Sequence, residues 1–361
     1  MNDSKERINV TKTFLPPLEE FEPYLHRIWE SGQLTNQGSL VLEFENKVAQ
    51  YLNLDSTQLV SNGTLALQLA LEASDIRDGE IITTPFSYVA TTSAIMWQRC
   101  TPVYVDIDPQ TLCIDADKIE ASITSKTKAI MPVHVFGNVC NVEKIEAIAK
   151  KHKLKVIYDA AHAFGVQYKD SSILGQGDIS ICSFHATKLF HTIEGGLIVA
   201  TDKEIGDKVD LIKRFGHNGD DHRTLGINAK ASEFQAAMGL VNLKHIDELI
   251  AKRKKAASVY DYLLNTSKVH PVRPRGDIKY NYAYYPVLFN SEASLKKAIE
   301  ALAKKNIFPR RYFYPSLNKL PYIINAAHCP ISEDVSLRIA CLPLFADIDK
   351  STIMEVSEVL Q

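Results

Sequence analysis

Lys188 closes the run Ser183-Phe-His-Ala-Thr-Lys188, Glu194-Gly195-Gly196 follows shortly after it, and Asp159 stands upstream in Tyr158-Asp-Ala-Ala-His162. A lysine amine on a short turn can form a Schiff base with an aldehyde cofactor. A buried carboxylate can hold a pyridine nitrogen protonated, so that the ring accepts electrons. Together the two residues are the minimum apparatus for moving an amino group, and they read as a pyridoxal 5'-phosphate site.

Such a cofactor needs a phosphate cradle, a partner for its ring face and a partner for its ring oxygen. Ser61-Asn62-Gly63-Thr64 precedes the apolar helical run Leu65–Glu72. Gly63 lets backbone approach an anion there, and the first N–H groups of a helix favour negative charge. The same residues are also ordinary turn-and-cap chemistry. Ser183, five residues before Lys188, can add a hydroxyl to the phosphate. Tyr88, in Pro85-Phe-Ser-Tyr-Val-Ala-Thr91, can stack on the pyridine or serve as a core aromatic. His162, three residues after Asp159, can reach the ring oxygen or the ring face, or be a structural histidine.

Short β-branched runs alternate with amphipathic helical stretches, and this predicts an α/β fold with a mostly parallel sheet covered on both faces. Strands are expected at 80–84, 102–106, 129–134 and 155–159, with a helix over 142–151. Asp159 then falls at a strand's C-terminal end, the edge at which open α/β sheets bind ligands. A long helical pattern spans 232–264. Beyond it come an expected strand over 280–289, a helix over 295–302 and a closing helix over 354–360. A chain of 361 residues exceeds the usual limit of one core. The expected division is a large α/β domain over 1–245 and a smaller α+β domain over 246–361.

Composition excludes several classes. With 45% hydrophobic and 23% charged residues and a net charge of −2, the chain has no general field for nucleic acid or an anionic membrane. Its six cysteines form no C-x-x-C pair, which argues against zinc, other metal centres and a disulfide framework. The polar start, residues 1–8, and the lack of a long apolar run predict a cytoplasmic protein with no membrane span. P-loop, dinucleotide-binding, zincin and nucleophile-elbow motifs are all missing.

The ordered set Asn62-Gly-Thr64, Thr84-Pro-Phe-Ser-Tyr88, Pro132-Val-His-Val-Phe-Gly137, Asp159-Ala-Ala-His-Ala163, Ser183-Phe-His-Ala-Thr-Lys188 and Gly226-Ile-Asn-Ala-Lys230 resembles the DegT/StrS family of sugar-nucleotide aminotransferases. The match runs from Leu34-Thr-Asn-Gln-Gly38 to Cys341-Leu-Pro-Leu-Phe345. The resemblance implies a fold type I enzyme with Lys188 as the cofactor's Schiff-base lysine and Asp159 as the partner of its pyridine nitrogen. It makes Asn62, Gly63, Thr64 and Ser183 the phosphate environment, Tyr88 the stacking aromatic, and His162 the residue beside the ring oxygen, where many members carry Gln. It further implies that Asn228 reaches the phosphate from a second subunit, hence a homodimer with sites at the interface. Lys230 stands where Arg is frequent, so it lacks the planar fork for a bidentate carboxylate contact.

His185-Ala-Thr-Lys188 with Ile193-Glu-Gly-Gly196 resembles the members that aminate C4 of a dTDP-linked 4-keto-6-deoxyhexose. The expected reaction moves an amino group from L-glutamate to C4 of dTDP-4-keto-6-deoxy-D-glucose, as used in deoxyaminosugar and lipopolysaccharide O-antigen biosynthesis. Glu194, His185, Lys230, Tyr312 and Tyr314 are the expected sugar-nucleotide contacts. The alternatives are a 3-aminotransferase, a sugar dehydratase, against which Lys188 counts because the dehydratases replace that lysine by His, and a non-catalytic regulator.

Overall fold

The computed structural model describes residues 7–265, 268–274, 276–324 and 326–361. The first six residues of the polar start lie outside the described residues. The centre is a seven-stranded sheet: β1 (Gln58–Val60), β2 (Glu80–Thr83), β3 (Thr101–Tyr104), β4 (Thr127–Met131), β5 (Lys155–Asp159), β6 (Ile179–Ser183) and β7 (Gly196–Ala200). Their spatial order is β1-β7-β6-β5-β4-β2-β3, and β7 alone runs against its neighbours.

Unbroken apolar strands suit this sheet because both of its faces are covered. Side chains along a strand alternate in direction. Ile82, Ile130, Val156, Tyr158, Cys182 and Leu197 accordingly enter one core, and Ile81, Ala129, Met131, Ile157, Ile181 and Ile198 enter the core on the opposite face. The helices α1 (Gly63–Ala73), α2 (Val89–Trp97) and α3 (Val142–His152) lie in the connections between strands. The alternation read from the sequence is thus the observed architecture. α1 begins two residues before its apolar run because the Asn62 side chain accepts from the Leu65 N–H, whereas α3 begins at Val142 as expected and ends one residue later, at His152, before the left-handed Lys153.

The long helix α4 (Glu233–Leu263) starts with a reciprocal capping box between Ser232 and Gln235. Its 31 residues span roughly 46 Å, long enough to serve two cores. Ile246 and Leu249 belong to the large core, whereas Ala256, Ala257 and Tyr260 belong to a C-terminal one. That second core lies between α4, the antiparallel strands Val269–Pro271, Tyr285–Phe289 and Ile339–Leu342, and the helices Glu292–Ala303 and Lys350–Leu360. The amino-terminal Ile8–Asn9 also joins this part, pairing with Ile307–Phe308. All six cysteines are buried free thiols. No helix among the described residues is long and apolar enough to cross a membrane.

The segment expected as a strand over 280–289 becomes regular only at Tyr285. Its first residues are diverted to the large sheet's loops. The Tyr280 hydroxyl donates to the Phe136 carbonyl (2.8 Å), and Asn281 Nδ2 donates to the carbonyls of His162 and Phe164 (2.9 Å each). Tyr282 turns with a positive φ of 52°. These bonds replace a β-ladder and fasten the carboxy-terminal part to the loop after β5.

Gly196 opens β7 directly against the turn that starts α1. A Cβ there would lie 2.6 Å from the carbonyl carbon and oxygen of Asn62. Those are backbone atoms and cannot swing away, so Gly196→Ala is expected to lower stability by about 1–3 kcal/mol, measured by denaturant unfolding, and to disturb the adjacent turn.

Candidate active site

Three strand ends converge at the sheet's carboxyl edge. β5 ends in Asp159, and the neighbouring β6 ends in Ser183. The chain then turns through Phe184 to Gly195 and returns as β7, with Gly196 paired to Ser183. Lys188 sits on this turn, where its N–H donates to the His185 carbonyl (2.8 Å). The reversal of β7 is what brings the lysine back over the strand that carries Asp159.

A cavity of about 310 Å³ opens here. It is lined by Lys188, Asp159, His162, Asn62, Gly63, Thr64, Tyr88, Ser183, His185, Glu194 and Tyr312, all singled out in the sequence. Arg310 and Phe313 complete the wall from the carboxy-terminal part. The structure therefore joins residues spread over most of the chain.

Asp159 is buried and makes no ion pair among the described residues. Its Oδ2 accepts from the Thr91 hydroxyl (2.7 Å), which also bonds Ser87 (2.8 Å), and its Oδ1 accepts from the Ala161 N–H (3.1 Å). Burial pushes the Asp159 carboxyl above its ordinary range, and the two hydrogen bonds and the Lys188 charge oppose that rise. A cationic group with a hydrogen to donate is what such a carboxylate lacks. Burial lowers the Lys188 amine, against opposing effects from Tyr312 and Asp159. A larger share of neutral amine, the nucleophilic and basic form, results.

His162 Nδ1 accepts from the Phe136 N–H (3.2 Å), which assigns the ring proton to Nε2. Its ring lies nearly parallel to those of Phe136 and Phe313, at centroid distances of 6.2 and 5.7 Å. Burial, then the Lys188 charge, drives its pKa well below the ordinary value. The titratable group expected from the sequence is therefore held neutral, as a fixed N–H donor.

At the start of α1, Asn62 Oδ1 accepts from the Leu65 N–H (2.8 Å) and the Asn62 carbonyl from the Ala66 N–H (3.1 Å). The N–H groups of Gly63 and Thr64 have no intrahelical acceptor. Capping and anion binding are thus compatible uses of the same turn. A Cβ on Gly63 would come within 3.0 Å of the Ser183 Cβ, so the glycine keeps the two walls of the cradle close. Tyr88 is 55% exposed and lines the cavity, which rules out a core role in this chain. These residues fit pyridoxal phosphate: Gly63, Thr64 and Ser183 for the phosphate, Asp159 for the ring nitrogen, His162 for the ring oxygen, Tyr88 for a face and Lys188 for the aldehyde.

At the mouth, His185 Nε2 lies 3.5 Å from Glu194 Oε1, while its Nδ1 is fixed by the Thr187 N–H (3.2 Å) and hydroxyl (2.8 Å). Three expected residues do not line the cavity. Asn228 is exposed and bonded to Lys230 Nζ (2.8 Å) beyond β1, and Tyr314, 49% exposed, carries the Arg311 guanidinium on its ring. Sequence reasoning missed Thr91 and Arg310. Thr91 stands three residues after Tyr88, which caps the start of α2, and that spacing is the signal that could have found it. Arg310 was hidden in the Arg310-Arg311 doublet. Arg311 is already engaged by Glu292 (3.0 Å) and the Leu337 carbonyl (2.9 Å).

A fold of this topology with a lysine on the β6–β7 turn and an aspartate at the end of β5 defines a fold type I transaminase. The chain belongs to the DegT/DnrJ/EryC1/StrS aminotransferase family, whose model matches residues 18–361. It is 43% identical over 355 residues to a dTDP-4-amino-4,6-dideoxy-D-glucose transaminase of Shigella dysenteriae, covering 96% of each chain. Among solved structures, DesI in the presence of its TDP-sugar product superposes with a TM-score of 0.93 at 29% identity, covering 98% of this chain and 92% of that one. Spr1654 from Streptococcus pneumoniae in its PLP form gives 0.91 at 25% identity, covering 99% and 100%.

His162→Gln is expected to keep the cofactor-side hydrogen bond and to flatten the acid limb of stability. A buried neutral histidine has its folded pKa below the unfolded value of 6.5, so the unfolded chain takes up the proton first. Its stabilising contribution is complete above pH 6.5 and is lost as pH falls, by about 1.4 kcal/mol per unit. Urea unfolding at pH 7 and 5 should show a smaller difference for the variant than for the wild type.

Proposed function

We propose that this enzyme transfers the amino group of L-glutamate to C4 of dTDP-4-keto-6-deoxy-D-glucose, giving dTDP-4-amino-4,6-dideoxyglucose and 2-oxoglutarate. The observation that carries the transamination is the junction, in one cavity, of a lysine with a lowered pKa, a buried carboxylate lacking a cation, and a helix-start anion cradle. The choice of sugar and position rests on the Shigella relative's name and its 43% identity.

Bound pyridoxal phosphate supplies an aldehyde for amine exchange and a ring that accepts the electron pair released at a carbon. Asp159 keeps the ring nitrogen protonated. Burial of Asp159 makes that hydrogen bond strong, because water cannot compete for the carboxylate. Lys188 would hold the aldehyde, and its neutral amine is placed to take a proton from the donor's α-carbon and to give it up on the cofactor side. For the sugar the same amine works in the opposite direction, protonating C4. His162, with its proton on Nε2, would serve as a fixed donor to the ring oxygen. His185 and Glu194 line the mouth, where the carboxylate accepts from sugar hydroxyls.

The protein works as a homodimer on this reading, with Asn228 of one protomer reaching the phosphate of the other. The exposure of Asn228 outside its own cavity supports that placement. The division into 1–245 and 246–361, the cytoplasmic location and a role in O-antigen sugar synthesis belong to the same proposal. Lys188→Ala should retain the fold and lose steady-state transamination entirely. In the wild type, glutamate should bleach the cofactor's long-wavelength absorbance, and dTDP-4-keto-6-deoxyglucose should restore it. Bleaching without recovery rejects this sugar, and product NMR that places the amine at C3 moves the reaction to the neighbouring carbon.

A further inference from the structure

A transaminase admits two substrates in turn to one cavity. On the reading proposed above, on which this inference rests, both are anions: an amino acid with two carboxylates and a nucleoside diphosphate sugar. Each requires a cation. The described residues lining the cavity include two with cationic side chains, Lys188 and Arg310. Lys188 is committed to the cofactor and is driven toward its neutral form by burial. Asp159 and Glu194 make the remaining wall negative.

Arg310 has the opposite character. Its backbone is held on both sides by Cys341, with the Arg310 N–H donating to the Cys341 carbonyl (3.1 Å) and the Cys341 N–H to the Arg310 carbonyl (2.8 Å). The side chain is exposed, makes no ion pair among the described residues, and lies with its guanidinium carbon 4.9 Å from the centre of the Tyr312 ring. Tyr312 lines the same wall and shares its electrostatic environment with Lys188. The free guanidinium is therefore one aromatic ring removed from the reacting amine. Its planar fork matches carboxylate and phosphate equally well.

We infer that Arg310 is the shared anion-binding residue of both half-reactions, holding a carboxylate of the amino donor in one and the diphosphate of the sugar nucleotide in the other. A single cation cannot hold both at once. The two ligands must therefore exclude each other even though they donate to and accept from the cofactor at different times.

The test uses the cofactor-loaded protein and three ligands: glutamate, dTDP without sugar, and the keto sugar nucleotide. In the wild type, calorimetry should show dTDP and glutamate competing. Arg310→Gln should raise the dissociation constants of both by about 10- to 100-fold, the scale of a lost charge-assisted hydrogen bond. Arg310→Lys should fall between the two. The unfolding midpoint should move little, because the side chain is exposed and its contact among the described residues is the face of the Tyr312 ring, with no ion pair to lose. Weakening of only one ligand, of neither, or simultaneous binding of dTDP and glutamate in the wild type overturns the inference. A wild type that binds both anions competitively and yet fails to aminate the sugar would instead overturn the proposed substrate while leaving Arg310's role intact.

Discussion

The site is organised by a carboxylate that has been taken out of water without a cation to meet it. Asp159 is tolerated because Thr91 and the Ala161 N–H each give one oxygen a hydrogen bond, and on the proposed function a protonated ring nitrogen would complete its surroundings. An uncompensated buried charge costs several kcal/mol, so the protein's stability and its affinity for the cofactor are coupled through this one group. Lys188 shares the same low-dielectric pocket and is shifted by it in the opposite sense. One desolvated volume thus keeps an acid ready to hold a proton and an amine ready to release one.

Sheet topology supplies the geometry that this chemistry needs. Asp159, Ser183 and the Lys188 turn lie on adjacent strands, β5 and β6, and the reversed β7 closes the turn over them. Gly63 and Gly196 keep the helix start and the strand in contact at distances that a side chain would not permit. The carboxy-terminal part contributes the remaining wall, Arg310, Tyr312 and Phe313, and secures the loop after β5 through Asn281.

Much of this was legible from residue type and place. Asp159, Ser183 and Gly63 are at ends of strands or the start of a helix and Lys188 is on the turn between two strands, where periodicity stops and local chemistry shows through. The α/β alternation was equally plain, since the runs that form β4, β5 and β6 are apolar on both faces. What escaped was set by long-range contacts. Residues 280–284 carry a strand's composition, but Asn281 and Tyr280 find carbonyls on distant loops, and no local pattern records that. Arg310 and Arg311 are identical in type and adjacent in the chain, and only folding pairs one with Glu292 and leaves the other open. The neutrality of His162 likewise follows from its burial beside Phe136 and Phe313, which its position three residues after Asp159 did not disclose.

The division of the cavity wall has a consequence for biosynthesis of the chain itself. Asp159, Lys188 and the anion cradle leave the ribosome long before Arg310, Tyr312 and Phe313, and the Asn281 bonds that steady His162 come late as well. A partly synthesised chain would hold the residues that react with an aldehyde while its pocket still stood open to water. Capture of the cofactor in its finished geometry therefore waits for the last quarter of translation, and a truncated product would be a poor scavenger of the vitamin.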